Sequence, residues 1–346
     1  MLARTGTAVI GAVASSLALA GDDVRNDNRD ADATESADGI IRHFDPVTCR
    51  IQHRATLTNG TCDLTSIELW LPVPQDGYGQ KVTSLVTEPD RAKIQPDTTG
   101  TLNVARLQTA SGLPAHNQSM DFAVSYQVTS SATVTDHSKV PQHSFDDYDV
   151  DEDYRRFTRA ETKIEVRDEQ IRTQANALKA IHSRPYDLAR AAYDWVIDRT
   201  RYQLVNGLQG ASSCLKEQCG ECCDYSALFV AVCRAAGVPA RPVIGFWGDE
   251  VDGWHVWAEF MIPGGTWIPV DPALGDQSPR SRRHYFGSLD NRRVALGRTF
   301  DVKLNRTRKE VEVLQLGAAF WQASVVGTAP ATRYTVTGKR VDAQDR

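Results

Sequence analysis

The sequence predicts an α+β fold in which an N-terminal β-sandwich is followed by helices packed on an antiparallel sheet. From about Gly39 to Val134, β-rich runs alternate with turns and no helical period intervenes, which is typical of a sandwich. Helical periodicity begins only after residue 151, and strand-like runs return after residue 240. Helices therefore precede a set of strands in the second half of the chain, and the length of 346 residues suits two domains.

The composition indicates a soluble globular protein. Hydrophobic residues make up 41% of the chain and charged residues 24%, which excludes a disordered or fibrous class. The net charge of -5 creates no strong field, so neither a nucleic acid nor an anionic membrane is expected as a partner. The short basic cluster at 280–283 is interpreted as a solvated loop.

Residues 1–20 are predicted to be a cleavable signal peptide. Arg4 precedes an apolar stretch of small residues, and Ala18 and Ala20 have the A-x-A spacing of a cleavage site. The apolar run is shorter than the roughly 20 residues that span a bilayer, so no stable membrane span is expected. We expect cleavage after Ala20 and a secreted or periplasmic protein; a disordered tail or short anchor is the alternative.

The remaining domain boundaries follow from changes in composition. Residues 21–39 carry seven acidic and two basic residues with almost no large apolar side chain, which predicts a disordered linker. The predicted order is then a β-sandwich at 40–150, a helix-and-sheet domain at 151–302, and C-terminal strands at 303–346 that pack back on the core. The acidic run at 145–154 lacks the pattern of a calcium loop and is interpreted as a solvated connector.

Three helices are predicted in the second domain. The first is "DEQIRTQANALKAI"; the second begins at Pro185, where a missing N–H costs nothing, and carries an apolar stripe at i, i+3, i+4, i+7 and i+8. The third begins near Cys222 and ends at Gly237, and its apolar surface is too broad for an exposed helix. It is expected to be central. The strands "ARPVIGFW", "WHVWAEFMI" and "TWIPVDP" follow it.

Cys222, His255 and Asp271 are the candidate catalytic residues. Cys222 lies in the first turn of the third helix, where free N–H groups and the helix dipole favour a thiolate. Alternation along "GWHVWAEF" places His255, Trp257 and Glu259 on one face of a strand. Asp271 ends the next strand. Each alone has an ordinary structural explanation, but together they supply a nucleophile, a base and an orienting carboxylate.

This triad makes a geometric prediction about the turn between the last two strands. In an antiparallel pair, the numbers of facing residues have a constant sum. A two-residue turn at Gly264-Gly265 would pair residue 263 with residue 266, which makes the sum odd and places Asp271 on the face opposite to His255. A triad requires an even sum, and hence a turn of three or five residues or a bulge. We therefore expect both side chains on one face of the sheet, within hydrogen-bonding reach.

The order "GECCDYSALFVAVCRAAGVPAR", "GWHVWAEF", "WIPVDPALG" resembles the transglutaminase-like superfamily across about residues 155–300. The resemblance implies a papain-like core, with Cys222 as nucleophile and His255 and Asp271 completing the triad. Asp224 matches the family's acidic position after the cysteine. It further implies a cysteine peptidase, amidohydrolase or acyltransferase that acts on a protein or peptide through a thioester. Hydrolysis is preferred over cross-linking by amine transfer, and no cofactor or metal is expected.

The other cysteines leave alternatives open. Export permits disulfides, and Cys49 and Cys62 flank a strand and a turn, which favours a bridge between neighbouring strands. Cys214 and Cys219 form a local disulfide, or Cys223 pairs with one of them. The spacing C-x4-C-x2-C-C is also compatible with zinc, and "CGEC" with a thiol-disulfide oxidoreductase. A catalytically idle binding module is a third possibility.

A second oxyanion donor beside the backbone N–H of Cys222 is not fixed by the sequence. Gln209 and Gln218, both upstream of Cys222, are the candidates.

Overall fold

A computed structural model describes residues 2–7, 33–205, 207–305, 310–314, 316–326 and 330–341. The first half of the described chain is built almost entirely of strands. These are β1 Leu2–Thr7, β2 Thr34–Glu35, β3 Ile41–Thr58, β4 Asp63–Val73, β5 Gln80–Glu88, β6 Lys93–Pro96, β7 Asn103–Thr109 and β8 Ser119–Thr135.

Helices and further strands follow a short 3-10 turn at Phe145–Asp147. The helices are α1 Glu152–Thr158, α2 Glu169–Ile181, α3 Pro185–Arg199, α4 Ala211–Glu217, α5 Cys222–Ala236, α6 Pro272–Gly275 and α7 Pro279–His284. The strands are β9 Arg201–Tyr202, β10 Cys219–Gly220, β11 Ala240–Trp247, β12 Glu250–Met261, β13 Trp267–Val270, β14 Ser288–Leu289, β15 Arg293–Gly297, β16 Asp301–Leu304, β17 Val311–Leu314, β18 Phe320–Val326 and β19 Ala331–Arg340.

The β-sandwich is discontinuous in the sequence. One sheet has the order β1-β18-β4-β7-β6, and the other has β14-β8-β3-β19 with β2 and β5 attached. The C-terminal strands thus do more than pack back on the core: β18 pairs with β4, and β19 pairs with β3 over ten residues. The helix-and-sheet domain lies between β8 and β18 in the chain, and within the described part of that stretch only the short strand β14 pairs with the sandwich strand β8.

The second domain is a four-stranded antiparallel sheet, β13-β12-β11-β15, with α5 packed on one face. The predicted helices and strands of this domain are present. α5 is buried along nearly its whole length, as expected of a central helix, and ends at Gly237, whose φ of 90° suits a residue without a Cβ. Val256, Ala258 and Phe260 of β12 belong to the core that surrounds α5.

The sandwich also packs against the second domain. Phe246 of β11 and Val294 of β15 lie in the same apolar core as the sandwich strands. The side-chain amide of Gln80, from β5, makes two hydrogen bonds to the backbone of Ala295. Nε2 donates to the Ala295 carbonyl at 3.0 Å, and Oε1 accepts from the Ala295 N–H at 2.8 Å. The β-domain therefore buttresses the sheet of the second domain rather than standing apart from it.

The predicted linker at 21–39 is wrong in its last part. Thr34 and Glu35 pair with Arg42 and His43 of β3, and the carboxylate of Asp38 accepts from the N–H of Ile40 at 2.9 Å. A short hairpin gives the backbone groups of this polar segment hydrogen-bond partners without burying apolar surface. Residues 21–32 lie outside the described residues.

The N-terminal signal peptide stays a prediction. Residues 2–7 pair with β18 in the structure of the full chain, and residues 8–20 lie outside the described residues. Among the described helices, none is both long enough and apolar enough to cross a bilayer.

The predicted disulfide between Cys49 and Cys62 is also wrong. Both are buried free thiols, and Cys49 lies in the middle of β3. Nine residues of strand separate it from Thr58, which is about 30 Å of extended chain. Cys62 is held just beyond that end, with its N–H 3.3 Å from Oδ1 of Asn59. A disulfide needs Cα atoms within about 7 Å, so these two cannot be joined.

Candidate active site

The start of α5 is fixed by a buried carboxylate. Asp224 Oδ2 accepts from the N–H of Glu221 at 3.1 Å, and Oδ1 accepts from the N–H groups of Gln209 at 2.7 Å and Gly210 at 3.0 Å. Gly220 makes room for this carboxylate, since a Cβ there would lie 2.6 Å from that of Asp224. Asp224 thus ties the loop before α4 to the first turn of α5, where Cys222 is half-buried.

The register between β12 and β13 meets the requirement derived from the sequence. Met261 pairs with Trp267, and Ala258 with Val270, so paired numbers sum to 528, an even value. The connecting turn has five residues, 262–266, and the N–H of Ile262 donates to the carbonyl of Thr266 at 3.0 Å. An even sum places Asp271 on the same face as residues 255, 257 and 259.

His255 and Asp271 are in direct contact. Nε2 of His255 lies 2.7 Å from Oδ2 of Asp271, and both side chains are almost fully buried. Burial lowers the pKa of an imidazole, but the negative charges of Asp271 and Cys222, with their hydrogen bonds, raise the pKa of His255 to about 9. Burial also raises the pKa of a carboxyl, yet His255 and Arg293 hold the pKa of Asp271 well below its usual range.

The thiol of Cys222 completes the cluster. It is hydrogen-bonded to the side chain of His255. Because Nε2 of the ring is engaged by Asp271, Nδ1 is the nitrogen left for the sulfur. The structure therefore brings together the three residues that the sequence singled out, in the chain Cys222, His255, Asp271.

Arg293 is a member of this cluster that sequence reasoning missed. Its Nη1 donates to Oδ2 of Asp271 at 2.8 Å, the same oxygen that contacts His255, and its Nε donates to Oδ2 of Asp290 at 2.9 Å. The side chain is only 4% exposed. An arginine 22 residues beyond Asp271 carries no local sequence signal, because only the pairing of β15 with β11 brings it to the site.

Aromatic rings enclose the imidazole. The ring of Trp247 lies 4.7 Å from that of His255 between centroids, and the ring of Trp257 lies 6.4 Å away, nearly parallel to it. Trp257 is buried and Trp247 is half-buried. These rings limit the access of water to His255 and confine its motion.

Glu259, which lies on the same face of β12 as His255, is paired with two arginines. Its Oε2 lies 2.6 Å from Nη2 of Arg241 and 3.5 Å from Nε of Arg298. Burial raises the pKa of Glu259, but the two guanidinium groups lower it below its usual value. The ring of Tyr78, from the sandwich, covers both arginines, at 4.7 and 4.0 Å from the guanidinium carbons. Glu259 thus joins the His255 strand to the β-domain.

Tyr202 is a second residue that the sequence analysis passed over. The parallel pair β9-β10 places Tyr202 opposite Gly220, two residues before Cys222. Burial raises the pKa of Tyr202 above its usual value, and the charge of Cys222 raises it further. Of the predicted oxyanion candidates, Gln209 uses its side-chain amide on the carbonyl of Gly207 at 3.0 Å, and Gln218 has a left-handed backbone at the end of α4.

Cys214, Cys219 and Cys223, the cysteines next to Cys222 in the sequence, are free thiols, so the predicted local disulfide is not formed among them. Burial raises the pKa of Cys214 to about 12 and that of Cys223 well above its usual value. Cys233 is in the core, as expected from its apolar neighbours. Within the described residues, no three His, Cys, Asp or Glu side chains are grouped so as to hold a metal ion.

Comparisons with known proteins find similarity in the part of the chain that carries Cys222, His255 and Asp271. Residues 172–272 match the Transglutaminase-like superfamily. A protein-glutamine gamma-glutamyltransferase of Pseudomonas aeruginosa is 30% identical over 117 residues, covering 29% of this chain and 18% of that protein. An uncharacterized protein of Haemophilus influenzae is 34% identical over 77 residues, covering 16% of this chain and 21% of that protein. The match spans about a fifth of the length of these curated relatives.

A solved structure shares the fold over most of the chain. It is that of a provisionally assigned cysteine protease from Cytophaga hutchinsonii, with a TM-score of 0.58 at 18% identity, covering 88% of this chain and 94% of that one. The predicted α+β fold, with a sandwich and a helix-and-sheet core, is confirmed. Residues 172–272, which include Cys222, His255 and Asp271, are the part of this chain that matches the transglutaminase-like superfamily.

Proposed function

We propose that this protein is an exported cysteine enzyme that cleaves amide or peptide bonds through a thioester on Cys222. The observation that carries the proposal is the hydrogen-bonded chain from the Cys222 thiol through His255 to the buried carboxylate of Asp271. A thiol at the first turn of a helix beside an imidazolium is a ready nucleophile. The family supports a cysteine-type enzyme.

Acylation follows from the positions of these groups. The Cys222 thiolate attacks the carbonyl carbon, a C–S bond forms, and the carbonyl oxygen becomes an oxyanion. The imidazolium of His255 then gives its proton to the leaving nitrogen as the C–N bond breaks, which releases an amine and leaves the thioester. Asp271 holds the ring and stabilises its charged form.

Deacylation reverses the roles. Neutral His255 takes a proton from water, the resulting hydroxide attacks the thioester carbon, and the C–S bond breaks to give a carboxylic acid and the thiolate. The backbone N–H of Cys222, in the first turn of α5, is one donor for the oxyanion. The Tyr202 hydroxyl is our candidate for the second, because its strand runs beside Gly220.

Amine transfer is the second candidate function. It uses the same thioester, but an amine in place of water resolves it. The specific observation in its favour is the similarity to a protein named a protein-glutamine gamma-glutamyltransferase. We prefer hydrolysis because water needs no binding site of its own, whereas an amine acceptor does.

The deciding experiment offers both acceptors at once. The purified protein is incubated with a glutamine-containing peptide and a labelled primary amine, and the products are identified by mass spectrometry. Cleaved or deamidated peptide without label supports hydrolysis, and incorporated label contradicts a purely hydrolytic enzyme. The Cys222→Ala variant must give neither product; if it gives the same products as the wild type, the thioester proposal is wrong.

We also propose that the protein is exported and that residues 1–20 are removed on export. The protein expressed in a bacterial host should appear outside the cytoplasm with Gly21 as its first residue. N-terminal sequencing of the exported protein checks this; an intact N-terminus or cytoplasmic retention contradicts a cleavable signal.

A further inference from the structure

The carboxylate of Asp271 is shared between two cations of different kinds. Its Oδ2 contacts His255 Nε2 at 2.7 Å and Arg293 Nη1 at 2.8 Å, while its Oδ1 accepts from the N–H of Leu274 at 3.0 Å. The side chain of Asp271 has no exposed surface. All of its charge is therefore balanced by protein groups rather than by water.

We propose that Arg293 is a positioning residue that keeps Asp271 ionised and aimed at His255 throughout the reaction cycle. The inference rests on the proposed function, in which His255 gives up its proton once per turnover. When His255 is neutral, Asp271 loses one of its two cations. A buried carboxylate without a cation would take up a proton or turn away from the ring. Arg293 does not deprotonate in proteins, so it supplies the charge that persists.

The guanidinium is itself held from several sides. Asp290 accepts from its Nε at 2.9 Å, and Arg293 is paired with Trp247 across the β11-β15 ladder. Its guanidinium carbon lies 5.2 Å from the centre of the Trp257 ring. Nη2 is buried without a hydrogen-bond partner among the described residues, so Asp271 and Asp290 direct the guanidinium through hydrogen bonds while the rings pack on it.

This support comes partly from the β-domain. Asn291, in the turn before β15, donates to the carbonyl of Asp45 in β3 at 2.7 Å. The sandwich thus fixes the turn that carries Asp290 and leads into Arg293.

Several titratable and charged groups surround the Arg293–Asp271 pair. Those that face the pair are His255, Asp290 and Tyr285, and Cys222, Tyr193 and Tyr202 lie around them.

The test measures the reactivity of Cys222 without any substrate. Iodoacetamide alkylation of Cys222 is followed by peptide mass spectrometry from pH 4 to 10 in the wild type and in Arg293→Gln. Removing a buried cation favours the protonated form of every nearby group. The acid limb of the alkylation profile should therefore move to higher pH, by about 1 unit. Arg293→Lys keeps the charge and should show less than half of that shift.

Two further variants separate this role from a loss of folding. Arg293→Gln combined with Asp290→Asn removes the guanidinium together with the Asp290 carboxylate that it pairs with, so it should fold even where the single variant does not. Its shift should have the same direction but a smaller size, because a nearby anion is lost as well. Arg234→Gln is the matched control. Arg234 is equally buried and paired with Glu161 at 2.8 Å, but it lies at the far end of α5. Its loss should leave the profile in place.

The outcomes are distinct. An unmoved acid limb in a folded Arg293→Gln or double variant overturns the proposal, as does an equal shift in Arg234→Gln or in Arg293→Lys. Because alkylation needs no substrate, the result is readable even if neither hydrolysis nor amine transfer is found. A failure of the proposed reaction and a failure of Arg293 as a positioning residue are thus seen separately.

Discussion

His255 and Asp271 come from neighbouring strands, yet the Nε2 and Oδ2 atoms lie 2.7 Å apart on one face of the sheet. The five-residue turn at 262–266 produces this contact, because it gives the even register that places residue 271 on the face of residue 255. A one-residue slip would turn the carboxylate to the opposite face. The contact therefore depends on turn length as much as on the two side chains.

Asp271→Asn tests the importance of this contact. The amide keeps the shape but loses the charge that stabilises the imidazolium, so kcat/KM should fall by about 10³- to 10⁴-fold, as for the equivalent change in other triads. The measurement is steady-state kinetics on the cleaved peptide. Asp276→Asn is the control, since Asp276 accepts from the Tyr225 hydroxyl and lies outside the triad. Equal losses in both variants would contradict the assigned role.

Cys222→Ala and Cys223→Ala test which of the adjacent thiols reacts. The first should lower kcat by at least about 10⁴-fold because no nucleophile remains. The second should keep activity within several-fold, since Cys223 is buried and its pKa is raised well above the usual value. Activity assays and selective iodoacetamide labelling check this. If Cys223→Ala is as inactive as Cys222→Ala, the assignment of Cys222 alone as the nucleophile is contradicted.

The pH dependence follows from His255. Although burial alone would lower its pKa, Asp271 and Cys222 raise it from the ordinary value of about 6.5 to about 9, so the imidazolium is present at neutral pH and lost as the pH rises through about 9. Activity that needs this proton should decline above that pH. The corresponding stability is fully present below about 6.5 and is also lost on passing 9. Thermal unfolding from pH 6 to 10 should show this loss in the wild type and not in His255→Gln; parallel curves would rule it out.

Tyr202→Phe tests the proposal that the Tyr202 hydroxyl is the second oxyanion donor. Removing one such donor typically costs about 10²- to 10³-fold in kcat. KM should change little, because the oxyanion exists only in the transition state and intermediates. Tyr154→Phe is the control, since its hydroxyl donates to the carbonyl of Gly237 at the other end of α5. Full activity of Tyr202→Phe would leave the second donor to another group.

Gly245→Ala tests the packing behind the site. A Cβ there would lie 2.3 Å from the carbonyl oxygen of Val294 and 2.7 Å from the Trp257 ring. Backbone cannot move aside cheaply, so the variant should lose about 1–3 kcal/mol of unfolding free energy or more. Gly60→Ala meets nothing within 4 Å and should be near neutral. Denaturant melts compare the two; matched midpoints would show that β11 and β15 can separate at little cost.

Local patterns in the sequence determined the elements that carry the triad. The broad apolar surface of α5, the alternation in β12 and the strand ending at Asp271 each depend on residues within one element. Periodicity records which face of an element is buried, because burial acts residue by residue along it. The requirement for an even register likewise follows from the alternation of side chains along two paired strands.

The tertiary structure alone decided which distant residues complete and support the site. Arg293 reaches Asp271 through the β11-β15 ladder, and Tyr202 reaches the start of α5 through β9-β10. The same holds for the C-terminal strands inserted in the sandwich and for the separation of Cys49 from Cys62. Pairing between remote strands is set by the free energy of the whole packed core, and a single arginine, tyrosine or cysteine carries no local pattern that reveals its partner.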